Sequence, residues 1–126
     1  MARILIIEDD RDNRNMTEFI LKDAGYMVVS ARNGVQGVQL AAREQPDLIL
    51  MDLQLPLLDG WEATRHIKAN PATRHIPVVT FTAYAMQEDL TRALAAGSTA
   101  IIAKPFELAT LLNDVATVLA QHPRLQ

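Results

Sequence analysis

Asp47-Leu48-Ile49-Leu50-Met51-Asp52-Leu53-Gln54-Leu55-Pro56 carries an unbroken apolar run into a single carboxylate and then into a proline. Leu48 to Met51 reads as a buried strand. Aspartate is a poor strand residue, and an ionised carboxylate left unpaired among apolar groups is costly. Asp52 is therefore either delivered to a site by the strand or caps the turn that follows it. The rest of the chain has to decide which.

Working outward, Ile4 to Ile7 is a β-branched run that ends on three acids, Glu8, Asp9 and Asp10. Met16, Phe19 and Ile20, at i, i+3 and i+4, predict a helix that stops at Gly25. Tyr26 to Ala31 reads as a second strand, and Val35 to Glu44 as a helix with Gly37 inside it, an unfavourable helical residue. Past Asp52, Asp59-Gly60 opens a helix to about Ala69, closed by Asn70-Pro71. Pro77 leads into a fourth strand, Val78 to Thr82, where proline is tolerated as the first residue. Met86, Leu90, Ala93 and Leu94 mark a fourth helix stopped by Gly97. Ala100 to Ala103 is a short fifth strand ending at Lys104-Pro105. Leu108, Leu111, Leu112, Val115 and Leu119 define a fifth, amphipathic helix. Five rounds of strand and helix predict an α/β fold, a parallel sheet covered on both faces.

Composition narrows the classes. The chain has 126 residues, 49% of them hydrophobic, enough for one domain with its own core. It has no cysteine, which excludes disulfides and thiolate metal sites. A net charge of −3 gives no basic footprint, so nucleic acid is not an expected partner. No apolar run reaches membrane-spanning length, and Met1-Ala2-Arg3-Ile4 lacks a signal-peptide layout. The expected setting is cytoplasmic.

In a parallel α/β sheet, ligands bind outside the carboxyl ends of the strands. Those ends carry Glu8 and Asp9, Asp52, Thr82 and Lys104. Two carboxylates about 4 Å apart repel by roughly 4 kcal/mol at an effective dielectric near 20, so three acids with one lysine call for a cation. All-oxygen ligation favours Mg2+ or Mn2+ over zinc, and Mg2+ commonly shares its shell with a phosphoryl group. An acidic metal pocket with a lysine and a hydroxyl suits phosphoryl transfer, in which a carboxylate can be the nucleophile. Asp52, alone at the end of the most apolar strand, is best placed for that.

The sequence resembles the receiver domain of two-component response regulators from Arg3 to about Ala120. The resemblance rests on Ile4-Leu5-Ile6-Ile7-Glu8-Asp9-Asp10, Pro46-Asp47-Leu48-Ile49-Leu50-Met51-Asp52, Leu55-Pro56 with Asp59-Gly60, Thr82-Ala83, and Lys104-Pro105-Phe106. It implies a doubly wound, five-stranded parallel sheet of order 2-1-3-4-5 with five helices. It also implies a signalling switch rather than a metabolic enzyme. Asp52 would accept a phosphoryl group from a phosphohistidine on a sensor histidine kinase or a histidine phosphotransfer protein. The domain would catalyse its own phosphorylation and a slow autodephosphorylation. Asp9 would ligate Mg2+ directly, Glu8 through water, and Gln54 through its backbone carbonyl. Thr82 and Lys104 would bind the phosphoryl oxygens, and the Lys104-Pro105 peptide is usually cis in the family. The chain is expected to be a single stand-alone receiver over residues 1–126, with a core of about 3–120, a tail of 121–126 and no output domain. It would act on an unknown downstream protein. A homodimer, if formed, would use the face of the fourth helix, fifth strand and fifth helix. The segment Thr82-Ala83-Tyr84-Ala85-Met86 resembles receivers of hybrid kinases and single-domain cell-cycle regulators.

One departure concerns the switch. The family usually has Tyr or Phe three residues before the lysine, where this chain has Ile101, and Ser98 and Thr99 replace the usual acids. Isoleucine fills space but has neither ring nor hydroxyl, which puts the usual switch in question and leaves the phosphorylation chemistry intact. Tyr84, two residues past Thr82, is the candidate to take over part of the reporting role. Two other readings compete. A hydrolase using an aspartyl phosphate would be expected to carry a second acid two residues after Asp52, where Gln54 stands. A pure interaction module would not need Glu8, Asp9, Asp52, Thr82 and Lys104 together. Leu55, Leu57 and Leu58 either dock a helical partner or fold back over the third helix. Arg11, Asp12, Asn13 and Arg14 read as a kinase contact or a solvated face. Trp61 is expected to pack, and His66, His75 and His122 to face solvent.

Overall fold

In the computed structural model, which describes residues 2–82, 86–104 and 108–122, the apolar runs become five strands of one parallel sheet. These are β1 (Arg3–Ile7), β2 (Met27–Ala31), β3 (Leu48–Asp52), β4 (Val78–Thr82) and β5 (Ala100–Ala103). The helices between and after them are α1 (Arg11–Asp23), α2 (Gly34–Glu44), α3 (Gly60–Ala69), α4 (Gln87–Ala96) and α5 (Leu108–Gln121). The strand order is β2-β1-β3-β4-β5, as the resemblance implied. The chain winds one way from β1 to β2 and the other way from β3 onward. The strand order therefore reverses between β1 and β3, where ligands bind in open α/β sheets.

Alternation along the strands builds two cores. Ile4, Ile6, Leu48, Leu50, Val79, Phe81 and Ile102 pack with Leu21 of α1 and with Leu111, Val115 and Val118 of α5. Leu5, Ile7, Ile49, Met51 and Val78 pack on the other face with Leu40 and Ala41 of α2 and Ala63 and Ile67 of α3. Every residue of Ile4–Ile7 and Leu48–Met51 is fully buried. Each such side chain contributes about 2 kcal/mol, so together they outweigh a carboxylate repulsion of about 4 kcal/mol at the strand ends. The apolar strands thus anchor an acidic edge that would not assemble by itself.

Local signals set the helix starts near that edge. Asp10 caps α1 by accepting from the Asn13 N–H at 2.9 Å, and Asp59 caps α3 by accepting from Glu62 N–H at 2.9 Å. Gly60 starts α3 directly against β3, where a Cβ would collide with the Asp52 carbonyl oxygen. Gly37, unfavourable by helix propensity, has a packing reason: a Cβ there would strike the Ile7 side chain.

The helix faces correct part of the sequence reading. Met16 and Phe19 are exposed, at 50% and 70%, and only Ile20 of the predicted trio touches the core. The inward line of α1 is instead Arg14, Thr17 and Leu21. Met86, the residue before α4, and Leu94 on it point outward while Ala93 and Ala96 are buried, and on α5 Leu108 is exposed. The first turn of α1 faces polar strand ends rather than the apolar sheet face, so its inward residues are polar.

Candidate functional site

The side-chain alternation that builds the core under α1 and α5 continues past the strand ends. Glu8 follows Ile4 and Ile6, Asp52 follows Leu48 and Leu50, and Lys104 follows Ile102. Carboxylate oxygens of Glu8, Asp9 and Asp52 lie within 4.8 Å of one another. Glu8 is fully buried and Asp52 nearly so, while Asp9 is exposed. Lys104 reaches across the sheet end: its Nζ donates to Glu8 Oε1 at 2.7 Å and lies 3.5 Å from Asp52 Oδ2. The ammonium also sits 4.6 Å from the centre of the Phe81 ring. The Lys104 backbone N–H donates to Thr82 O at 2.8 Å, which sets the lysine beside the buried Thr82.

The predicted site residues therefore converge, with three qualifications. The backbone N–H of Gln54 donates to Asp52 Oδ1 at 3.3 Å, and its side chain faces out. Ile101 is half-buried and belongs to a separate apolar cluster with Leu53, Trp61 and Ala93. Tyr84 and the Lys104-Pro105 peptide bond lie outside the described residues.

Charge crowding shows in the acids. Burial pushes the Glu8 carboxyl above its ordinary value, the Asp52 carboxylate pushes it further, and Lys104 pulls the other way. Desolvation and the neighbouring Glu8 carboxylate likewise raise Asp9. One ammonium does not neutralise three carboxylates. The donor set is all oxygen, which fits a hard divalent cation.

A sequence profile described as the response regulator receiver domain matches residues 4–116. The chain belongs to this receiver domain family. It is 36% identical over 116 residues to the polar-differentiation response regulator DivK of Brucella anthropi, covering 92% of this chain and 94% of that protein. The receiver domain of the sensor histidine kinase PA1611 of Pseudomonas aeruginosa, solved with a magnesium ion in its active site cleft, superposes with a TM-score of 0.89. It shares 39% identity over 94% of this chain and 98% of its own. The chemotaxis protein CheY4 of Vibrio cholerae also gives a TM-score of 0.89, at 29% identity and the same coverage of each chain. As a receiver domain of two-component signalling, the protein is a phosphoryl-accepting switch and not a metabolic enzyme. None of the helices among the described residues is long and apolar enough to cross a membrane.

Sequence reasoning missed Arg14. It was grouped with Arg11, Asp12 and Asn13 as either a kinase contact or a solvated face, yet its side chain is only 8% exposed. Its Nη1 donates to the backbone carbonyls of Glu8, at 2.9 Å, and Asp9, at 3.4 Å. The available signal was its position, four residues after the Asp10 cap and so on the same helix face as the acidic turn. The other open questions resolve simply. Trp61 packs, at 6% exposure, and His66, His75 and His122 face solvent. Leu55 and Leu58 fold back onto the core under α2 and α3, whereas Leu57 stands 82% exposed at a positive φ of 69°.

Proposed function

We propose that this receiver accepts a phosphoryl group from a phosphohistidine, on a sensor histidine kinase or a histidine phosphotransfer protein, onto Asp52. The observation that carries this reading is the convergence of Glu8, Asp9 and Asp52 at the ends of β1 and β3, with the Lys104 ammonium reaching over from β5. An Asp52 carboxylate oxygen attacks phosphorus and the P–N bond to the donor imidazole breaks. The departing nitrogen keeps the electron pair, and an acyl phosphate remains on Asp52. Lys104 and Thr82 bind the phosphoryl oxygens as they arrive. Asp9 would hold Mg2+ (or Mn2+) directly, Glu8 through water and Gln54 through its carbonyl. Bound there, the ion supplies positive charge against the carboxylates and the incoming phosphoryl group. Water later attacks the acyl phosphate slowly and resets the switch.

The response would pass to a downstream protein in the cytoplasm, through Thr82, Tyr84 and the Ile101 position. A homodimer, where one forms, would use the face of α4, β5 and α5.

The test is intact mass after incubation with Mg2+ and acetyl phosphate. A phosphate adduct absent from Asp52→Asn is expected. Phosphate release without an adduct would favour a hydrolase, and no reaction at all would favour a pure interaction module.

A further inference from the structure

Arg14 is the one buried basic side chain among the described residues. Burying a guanidinium is costly unless its donors are used. Its hydrogen-bond partners among the described residues are not carboxylates but the carbonyls of Glu8 and Asp9, the two residues that begin the acidic cluster. The sheet does not hold this turn. The ladder on this side ends with the Glu8 N–H donating to Ala31 O at 3.0 Å. Beyond it, the neighbouring restraints are the cap at Asp10, a long 3.4 Å contact from Asp10 N–H to Glu8 Oε2, and Lys104 Nζ, which donates to Glu8 Oε1 at 2.7 Å; none of these reaches the Asp9 carbonyl. Peptide planes are rigid, so fixing two successive carbonyls fixes how the Asp9 side chain leaves the backbone. A turn carrying crowded carboxylates would otherwise open to relieve their mutual repulsion.

We propose that Arg14 is a positioning residue for the divalent-cation site: from within α1 it holds the Glu8 carbonyl at 2.9 Å, reaches the Asp9 carbonyl at a longer 3.4 Å, and so keeps the Asp9 carboxylate turned toward Asp52 before a cation arrives. This rests on reading the cluster as a Mg2+ site. Because it pairs with carbonyls, the arginine occupies no carboxylate oxygen that the cation needs. Lysine is an incomplete substitute: both contacts leave the one planar Nη1 group, whose two N–H bonds have fixed directions, and the shorter, more strongly hydrated ammonium lacks that geometry.

The test titrates Mg2+ into wild type, Arg14→Gln and Arg14→Lys by calorimetry, alongside thermal melts with and without Mg2+. Residues that orient metal ligands from outside the ligand set typically change metal affinity by about 10- to 100-fold. Arg14→Gln should weaken Mg2+ binding by about that factor, with Arg14→Lys in between. The rise in melting temperature on adding Mg2+ should shrink in the same order. A merely structural arginine would lower the metal-free melting point and leave both the affinity and that rise unchanged, which overturns the proposal. Arg14→Lys binding as tightly as wild type would also overturn it, because the planar two-carbonyl contact would then be dispensable. If Arg14→Gln does not fold, Arg14→Lys decides by the same two readouts. Wild type that binds no Mg2+ would remove the cation site itself, a separate failure from an unaltered variant.

Discussion

Asp52 and Leu53 are adjacent in sequence, yet they belong to regions held by different forces. Asp52 joins a polar corner where Glu8, Asp9 and Lys104 are fixed by directed hydrogen bonds and opposed charges. Leu53 joins Trp61, Ala93 and Ile101 in an apolar cluster between α3 and α4, fixed by packing. That cluster has two polar ties to α4: the Trp61 Nε1–H donates to Asp89 O at 3.3 Å, and the Arg92 guanidinium lies 4.2 Å from the Trp61 ring centre. The polar corner follows the family pattern and, on the proposed reading, receives the phosphate. The apolar cluster holds Ile101, the departure from the family's usual aromatic residue. On the proposed reading, a receiver could keep its chemistry while the packing that reports it diverges, because the two regions are held by different kinds of contact.

The largest test of that separation is Trp61→Ala. Truncating a buried tryptophan costs about 3 to 5 kcal/mol, measurable by urea denaturation, while the fraction that remains folded should still take up phosphate at Asp52. Loss of phosphorylation in folded protein would join the two regions. Lys104→Ala attacks the polar corner instead. Leaving Glu8 buried without its ammonium should cost about 3 kcal/mol. Glu8 then holds its proton to higher pH in the folded state than its ordinary value of 4.5. The folded form binds the extra proton, so stability falls as pH rises through the raised value. Urea denaturation should therefore show a larger loss near pH 8 than near pH 5.

Ile101→Tyr restores the family's aromatic ring and sharpens the comparison further. With Leu53, Trp61 and Ala93 already packed around the position, extra volume should cost about 1 to 2 kcal/mol. A stabilised variant would mean that the cluster holds room for the ring. The smallest effect is the metal-free pH profile. Raised folded values for Glu8 and Asp9 make their contribution greatest below the ordinary values of 4.5 and 3.8. That contribution is lost as pH rises toward neutrality. Melting curves should show a decline over that window, reversed by Mg2+, which binds the deprotonated acids. Asp9→Asn should flatten the decline and abolish the Mg2+ response.

The strands and the site were legible because both depend on short, directional signals. Ile4–Ile7 and Leu48–Met51 read as buried strands, and parallel topology then placed Glu8, Asp9, Asp52, Thr82 and Lys104 along one edge. Helix faces were less legible. Apolar periodicity assumes that apolar residues turn inward, and α1 breaks that rule because its first turn faces polar groups. Met16 and Phe19 therefore lie outside while Arg14 and Thr17 lie within. Arg14 in particular pairs with backbone carbonyls, and every residue has one, so no partner residue type marks the contact in the sequence.

The central claim is that the carboxylate of Asp52 itself becomes the acyl phosphate. Borohydride reduces an aspartyl phosphate to homoserine, so peptide mapping of phosphorylated and reduced protein reads the acceptor directly. Homoserine at position 52, dependent on Mg2+ and absent without phosphodonor, is the predicted result. Reduction at Asp9 or Glu8, or phosphate held on a histidine with position 52 untouched, would contradict it.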